Sequence, residues 1–259
     1  MAKLERIDKI LSHHGFGSRK DVKKLLRAEK VSVDGKFVYD SAFLLDVEKS
    51  HVEVSGVAVR LVRDVYLMMN KCAGVVCASR DSVNRTVIDL VGEEMRHPFL
   101  GGELHAVGRL DIDTEGLLIL TTDGSLTHTL LSPKTHVSKT YAVRLLENVD
   151  EKKREEYARL LLRGIHVPRE GNEAEFDALP AKISFDVLSA GECARGYDCL
   201  LTVYEGKFHQ VKRMFKALHN SVVKLKRVKI GSLFLDSSLP LGAWRELSDS
   251  ELSLLLDEK

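Results

Sequence analysis

Asp111, Asp113 and Glu115 stand at alternate positions in GRLDIDTEGLLILTTDG, residues 108–124, the stretch of this chain with the most groups that could react. Acids spaced this way can hold a divalent cation, move protons, or attack an electron-poor carbon. A calcium loop is excluded. Its twelfth position calls for a bidentate glutamate, and here that position is Thr122, preceded by the strand-like run LLIL. A magnesium-dependent nuclease needs a second acidic cluster for a second ion, and none is evident in the sequence. The plainest alternative is structural, with the acids capping a loop and pairing with Arg109. The four cysteines are spaced C-x4-C (Cys72, Cys77) and C-x5-C (Cys193, Cys199) with no partnered histidines. That pattern fits neither zinc nor a disulfide framework, and buried free thiols are expected. No phosphate loop, dinucleotide motif or zinc pattern occurs.

A second set of reactive groups lies in residues 206–229, which carry eight Lys/Arg and no Asp/Glu. Residues 1–30 carry nine Lys/Arg against four Asp/Glu. The net charge is only +1, so the rest of the chain is acidic and the basic charge is concentrated in two segments. Such segments are what a polyanion-binding surface requires, because each neutralised phosphate releases counterions. Within the second, Phe208, Val211, Phe215 and Leu218 predict one apolar face of a helix, with Lys212, Lys216 and His219 on a neighbouring polar face.

The elements that must position these groups are short and mixed. A 44% hydrophobic and 30% charged composition predicts a folded globular chain. No apolar run approaches the ~18 residues of a membrane helix. Charges at Lys3, Glu5, Arg6, Asp8 and Lys9 argue against a signal peptide. A cytoplasmic protein with no membrane partner is expected, acting as a monomer. Leu4, Ile7, Ile10 and Leu11 predict a helix ending at Gly15; Ser18 and Asp21 predict a capping box opening a second helix, with Val22, Leu25 and Leu26 inward. Asp34–Gly35 predicts a hairpin turn. Strands are expected at Val65–Met69, Gly116–Thr122, Tyr141–Leu146, Ile183–Leu188, Cys199–Tyr204 and Val222–Ile230. In the last of these the alternation breaks at Lys226–Arg227, predicting a bulge or the strand's end. Helices are expected at Ser125–Leu131, Asp150–Arg163, Phe208–Leu218 and Ser248–Leu256, the last opened by a Ser248/Glu251 capping box. Strands outnumber helices without strict alternation. The fold class is therefore α+β, a mixed, mainly antiparallel sheet with packed helices behind a small first domain. The domains are expected at 1–60 and 64–259, with a hinge at Arg60–Asp64.

The stretch RIDKILSHHGFGSRKDVKKLLRAEKVSVDGKFV resembles an S4 domain, a small RNA-binding module. The resemblance covers most of residues 4–60 and implies that Arg19, Lys20, Lys23, Lys24 and Arg27 face RNA, with Arg6 in support. GRLDIDTEGLLILTTDG in turn resembles the catalytic segment of RsuA-type pseudouridine synthases. NKCAGVVCAS (70–79), SPKTHVSKTYAVRL (132–145) and EGKFHQVKRMFKALHNSVVKLKRVKIGSL (205–233) resemble the family's other blocks, in the same order. One departure is Cys72, where a proline commonly follows the Asn-Lys pair.

This resemblance implies isomerisation of a uridine in ribosomal RNA to pseudouridine, with a lean toward the small subunit and either free RNA or an assembly intermediate as partner; being internal to the substrate, the reaction implies neither cofactor nor metal. It places the role of the catalytic carboxylate at C1′ on Asp111, and on Tyr141 the stacking against a flipped uracil. Burial beneath a base favours the neutral acid, so a fixed cation beside Asp111 is needed. The resemblance points to Lys212 for it, with Arg213 as the other candidate. Arg109 is placed to fill the space left by the flipped base, or alternatively to pair with Asp113 or Glu115. Arg213, Lys224, Lys226, Arg227 and Lys229 are expected along the RNA path.

Overall fold

The structure, a computed structural model, describes residues 4–59, 61, 64–92, 103–132 and 134–255. The chain divides into two compact units. One comprises Met1–Tyr66, Val91–His105 and Thr121–Gly124; the other comprises Leu67–Leu90, Ala106–Leu120 and Ser125–Lys259. The expected hinge falls largely on residues 60, 62 and 63, outside the described residues.

The first unit opens with β1 (Leu4–Arg6), α1 (Ile7–His13) and α2 (Arg19–Arg27). Short strands follow: β2 (Val31–Val33), β3 (Lys36–Phe37), β4 (Leu44–Asp46), β5 (Val52–Val54) and β6 (Val57–Val59). The capping box at α2 forms in full, Ser18 and Asp21 each accepting the other's backbone N–H. Ile7, Ile10, Leu11, Val22, Leu26, Val31 and Val52 make its core. The apolar stripe of α2 faces that core and its five basic residues, Arg19, Lys20, Lys23, Lys24 and Arg27, are all exposed. The Asp34–Gly35 turn has positive φ at both residues (49° and 77°), as a two-residue hairpin requires. Leu4 departs from expectation. It lies in β1, antiparallel to β4 and opposite Asp46, and is exposed. The helix starts only at Ile7, because Arg6 is extended and Leu4–Arg6 find backbone partners in β4.

The second unit is built on a sheet whose path runs β13 (Lys182–Ser184), β14 (Cys199–Val203), β10 (Lys139–Leu145), β15 (Val222–Ile230), β9 (Glu115–Thr121), β7 (Tyr66–Lys71), β17 (Trp244–Glu246). Two further strands, β8 (His105–Ala106) and β16 (Leu233–Phe234), pair with β9 and β15. The sheet is mainly antiparallel; β15 and β9 run parallel, with Lys226 beside Glu115 and Arg227 beside Gly116. α3 (Val87–Val91), α4 (Gly124–Leu131), α5 (Glu151–Arg163), α6 (Gln210–Ala217) and α7 (Asp249–Leu254) complete the helices among the described residues. A two-stranded hairpin, β11 (His166–Val167) and β12 (Phe176–Asp177), follows α5. Val143, Leu201 and Leu225 of the sheet pack with Tyr157 and Leu161 of α5 and Val211, Met214 and Phe215 of α6. This cluster fixes α6 over the sheet.

Three expectations need correcting here. The strand expected over Ile183–Leu188 stops at Ser184, and Val187–Ala190 forms a 3-10 turn. Ser184 and Ser189 hydroxyls bond the backbone of Asp186, offering the chain a local alternative to the ladder. The helix expected from Phe208 begins at Gln210, because His209 takes a left-handed conformation (φ 48°, ψ 30°) and Phe208 stays exposed. Of the four cysteines, all free, only Cys193 and Cys199 are buried; Cys72 and Cys77 are half-buried. In β15 the strand does not end at Lys226–Arg227. The register against β10 shifts one residue later, so Val228 is the extra residue of a bulge.

Candidate active site

Asp111 sits in the turn that leads into β9, and Gly116 dictates how closely that turn meets the rest of the sheet. Gly116 has φ +102°, and a Cβ there would collide with the backbone carbonyl of Arg227 on β15. Only glycine permits this approach. From below, the turn is held by Lys71, the last residue of β7 and entirely buried. Its ammonium donates to the backbone carbonyls of Cys72 (3.1 Å), Asp111 (3.0 Å) and Thr114 (2.8 Å), with Ile112 at 3.4 Å. Burial pulls Lys71 below the usual lysine range, against the nearby Cys77, Cys72, Asp113 and Asp111. Cys77 Sγ accepts the Leu110 N–H at 3.3 Å, one residue before Asp111. The backbone of the acidic turn is therefore fixed by groups far away in sequence.

Above the turn stands the first part of α6. Lys212 Nζ lies 3.0 Å from Asp111 Oδ2 and donates to Asp113 Oδ1 at 2.6 Å. Burial pulls Lys212 down, but its bonds to Asp113 and Asp111 outweigh this and hold it above the usual lysine range. Burial likewise pushes Asp113 up, and the Lys212 contact overcomes it, leaving Asp113 below the usual carboxylate range. His209 Nε2 is 3.7 Å from Asp111 Oδ1. The turn preceding α6 is closed by Gln210, which accepts the Lys207 N–H and donates to Glu205.

Asp111, Arg109, Tyr141, Lys207, His209 and Gln210 line one cleft that opens to solvent, together with Thr114, Val203 and Leu225. Tyr141 enters from β10, partly buried and packed beside the α6 cluster. The structure thus brings Asp111 and Tyr141 to one cleft, sets Lys212 of α6 against Asp111, and leaves Arg109 exposed at the same cleft.

Other expected contacts land elsewhere. Arg213 is 5% exposed, and its guanidinium donates to the carbonyls of Pro168 and Ala174 and lies 4.8 Å over Phe176. It ties the β11–β12 hairpin to α6, so neither phosphate contact nor pairing with Asp111 fits it. One residue along a helix is a turn of about 100°, which is why neighbours 212 and 213 face different partners. Arg227 is 4% exposed and donates from Nε to Leu117 O at 2.8 Å, inside the sheet and away from any RNA path. Lys224 is exposed and Lys226 half-buried. Lys229 lies 4.9 Å over the ring of Phe234. In the first unit, Arg6 pairs with buried Asp8 at 2.8 Å. Sequence reasoning missed Lys71 and His209. A lysine closing the apolar strand YLMMNK was the available signal for the first; nothing in the sequence marked the backbone of the second. Among the described residues no group of three His/Cys/Asp/Glu is arranged to hold a metal ion, and no helix is long and apolar enough to cross a membrane.

Comparison with known proteins identifies the family. The RNA pseudouridylate synthase family matches residues 65–217 and the S4 domain matches residues 5–50. The uncharacterized RNA pseudouridine synthase YtzG of Bacillus subtilis is 43% identical over 252 residues, covering 96% of this chain and 98% of the relative. The ribosomal small subunit pseudouridine synthase A of Vibrio cholerae is 39% identical over 248 residues, with 96% and 98% covered. A crystal structure of a pseudouridylate synthase shares 34% identity, covers 96% of this chain and 99% of its own, and superposes with a TM-score of 0.61. Similarity running nearly end to end, and not one shared motif, places the chain in the RNA pseudouridine synthase family, as an RsuA-type enzyme with an S4 domain ahead of its catalytic sheet.

Proposed function

We propose that this enzyme isomerises one uridine of small-subunit ribosomal RNA, with Asp111 as the catalytic carboxylate, Lys212 as its cationic partner and Tyr141 as the ring against the uracil. The observation that carries this reading is the Asp111 carboxylate held 3.0 Å from Lys212 at the edge of a cleft that Tyr141 also lines. The small-subunit assignment rests on relatives such as those of Vibrio cholerae and Escherichia coli, the latter 34% identical over 248 residues.

In the reaction the C1′–N1 bond breaks, the uracil rotates, and a C1′–C5 bond forms; the C5 hydrogen leaves to solvent and N1 gains a proton. An ionised Asp111 supplies negative charge where C1′ becomes electron-poor. Lys212 keeps that charge favourable when the base covers it and excludes water. Tyr141 stacks on the uracil and orients it through the rotation. A uridine in folded RNA must first be flipped out, and Arg109 at the cleft occupies the vacated position or holds the displaced partner base. Arg19, Lys20, Lys23, Lys24 and Arg27, with Lys224 and Lys226, supply phosphate contacts that position the RNA without reading its sequence. The chemistry is internal to the substrate and needs neither cofactor nor metal. The enzyme acts as a cytoplasmic monomer on free rRNA or an assembly particle.

Tritium release from rRNA labelled at uracil C5, assayed with EDTA present, tests the reaction. Release is expected; a requirement for divalent metal would overturn the metal-independent mechanism. Mapping pseudouridine in rRNA from cells with and without the gene tests the target, and loss of a large-subunit pseudouridine alone would move the assignment.

A further inference from the structure

Asp111 has two carboxylate oxygens, and only one is taken by Lys212. Lys212 Nζ stands 3.0 Å from Oδ2, whereas the group nearest Oδ1 on the α6 side is His209 Nε2 at 3.7 Å. His209 immediately precedes α6 and Lys212 is its third residue, so both meet Asp111 from the same end of the helix. The His209 carbonyl accepts the Arg213 N–H at 2.9 Å, so the backbone carrying His209 is already part of the first turn of α6. Its left-handed conformation is uncommon for a residue with a side chain and persists only where the surroundings hold it. Phe208 supplies part of that hold. Its ring stacks on the imidazole with centroids 3.8 Å apart and planes 21° from parallel, while Phe208 itself stays 49% exposed. An aromatic left in solvent to fix the plane of a cleft-lining imidazole is not explained by core packing.

We propose that His209 is a further positioning residue of the reaction: oriented by Phe208, it donates from Nε2 to Asp111 Oδ1 once the substrate closes the cleft. Together with Lys212 it then fixes the plane of the carboxylate relative to C1′. The present 3.7 Å separation is longer than a hydrogen bond, and contacts of this kind commonly tighten only with substrate in place. The inference rests on Asp111 being the catalytic carboxylate.

The test uses full-length enzyme and C5-tritiated total rRNA from cells lacking the gene, which contains the target whichever subunit holds it. Wild type, Asp111→Asn, His209→Asn, His209→Gly and Phe208→Leu are compared for single-turnover rate and RNA affinity. Asparagine and glycine both tolerate the left-handed backbone, so these variants should fold, as thermal melting will verify. His209→Asn is expected to lower the single-turnover rate on the order of tenfold to a hundredfold with RNA affinity within twofold. Imidazole added to His209→Gly should restore part of the rate, and Phe208→Leu should show a smaller loss of the same kind. Wild-type rates in both His209 variants, or weaker RNA binding with an unchanged single-turnover rate, would remove His209 from this role. Failure of wild type to release tritium, or full activity in Asp111→Asn, would instead overturn the proposed function on which the inference rests.

Discussion

A single carboxylate carries the proposed chemistry, and its neighbours are distinguishable by what their loss should do. Asp111→Asn keeps the shape of the side chain and removes its charge, so it should lower turnover by at least ~10³-fold while leaving RNA affinity within a few-fold. Single-turnover tritium release with a filter-binding isotherm checks both; substantial turnover in pure variant would take Asp111 out of the reaction. Lys71→Met should act on the backbone of the turn, since it leaves the carbonyls of Cys72, Asp111 and Thr114 without their buried donor. A loss of about 2–4 kcal/mol is expected, accompanied by lower activity, because unpaired buried acceptors are costly. Denaturant melts would read it, and unchanged stability would mean that water replaces the ammonium. Arg213→Met should behave as a structural variant, losing about 1–3 kcal/mol through the carbonyls of Pro168 and Ala174, with the salt dependence of RNA binding unaltered. A salt slope lowered by one would return Arg213 to the RNA surface.

Among the elements, the meeting of β9 and β15 is the least tolerant. Gly116→Ala forces a methyl group into the Arg227 backbone at φ +102°, and a loss of at least ~2 kcal/mol is expected, with α6 and the acidic turn drifting apart. Thermal melting decides this; a melting temperature equal to wild type would mean that the strands separate at little cost. The C-terminal segment is tied by charge. Arg245 donates to Asp236 at 2.8 Å and to Glu251 at 2.6 Å, the latter also closing the capping box of α7. Hydrogen bonds from Ser238 chiefly, and from Arg245, hold Asp236 down to about 2; Arg245 chiefly holds Glu251 down to about 2. Lowered carboxylates stabilise the folded state above their unfolded values and lose that effect as pH falls through the folded ones. The contribution should therefore be complete above about pH 4.5 and vanish toward pH 2. Arg245→Met should cost about 1–2 kcal/mol at neutral pH, and the difference from wild type should shrink across that window. A difference independent of pH would point to lost packing of the Arg245 stem instead.

For the whole molecule, the question is how far the first unit is separable. Residues 1–60 contain a capped helix, a hairpin turn and a core of their own in Ile7, Ile10, Leu11, Val22 and Leu26. The other unit also draws its chain through Val91–His105 and Thr121–Gly124, which group with the first. A protein of residues 64–259 is expected to stay folded, to bind long RNA more weakly, and to lose roughly 0.9 from its salt slope for each phosphate contact removed. Circular dichroism and salt-dependent binding check these expectations. An unfolded truncation would show that the two units need each other.

How much could be read from the chain follows from the range of the interactions involved. The helix starts at Ser18 and Ser248, the Asp34–Gly35 turn and the mainly antiparallel α+β class were legible because caps, turns and alternation act over a few residues. Asp111, Tyr141 and Lys212 could be proposed together only through motifs in a characteristic order. That Asp111 and Tyr141 line one cleft, with Lys212 against Asp111, belongs to the tertiary structure. So does the partner of each charge: Lys212 and Arg213 are adjacent and both basic, yet helix geometry sends one to a carboxylate and the other to two carbonyls of a hairpin. Arg227 was read as surface because residue type carries no information about which face of a strand is covered. Lys71 acts on a turn 40 residues away. Local patterns determined the elements and marked the candidate groups; burial and long-range register, which depend on the whole packed sheet, decided which of those groups lie at the cleft.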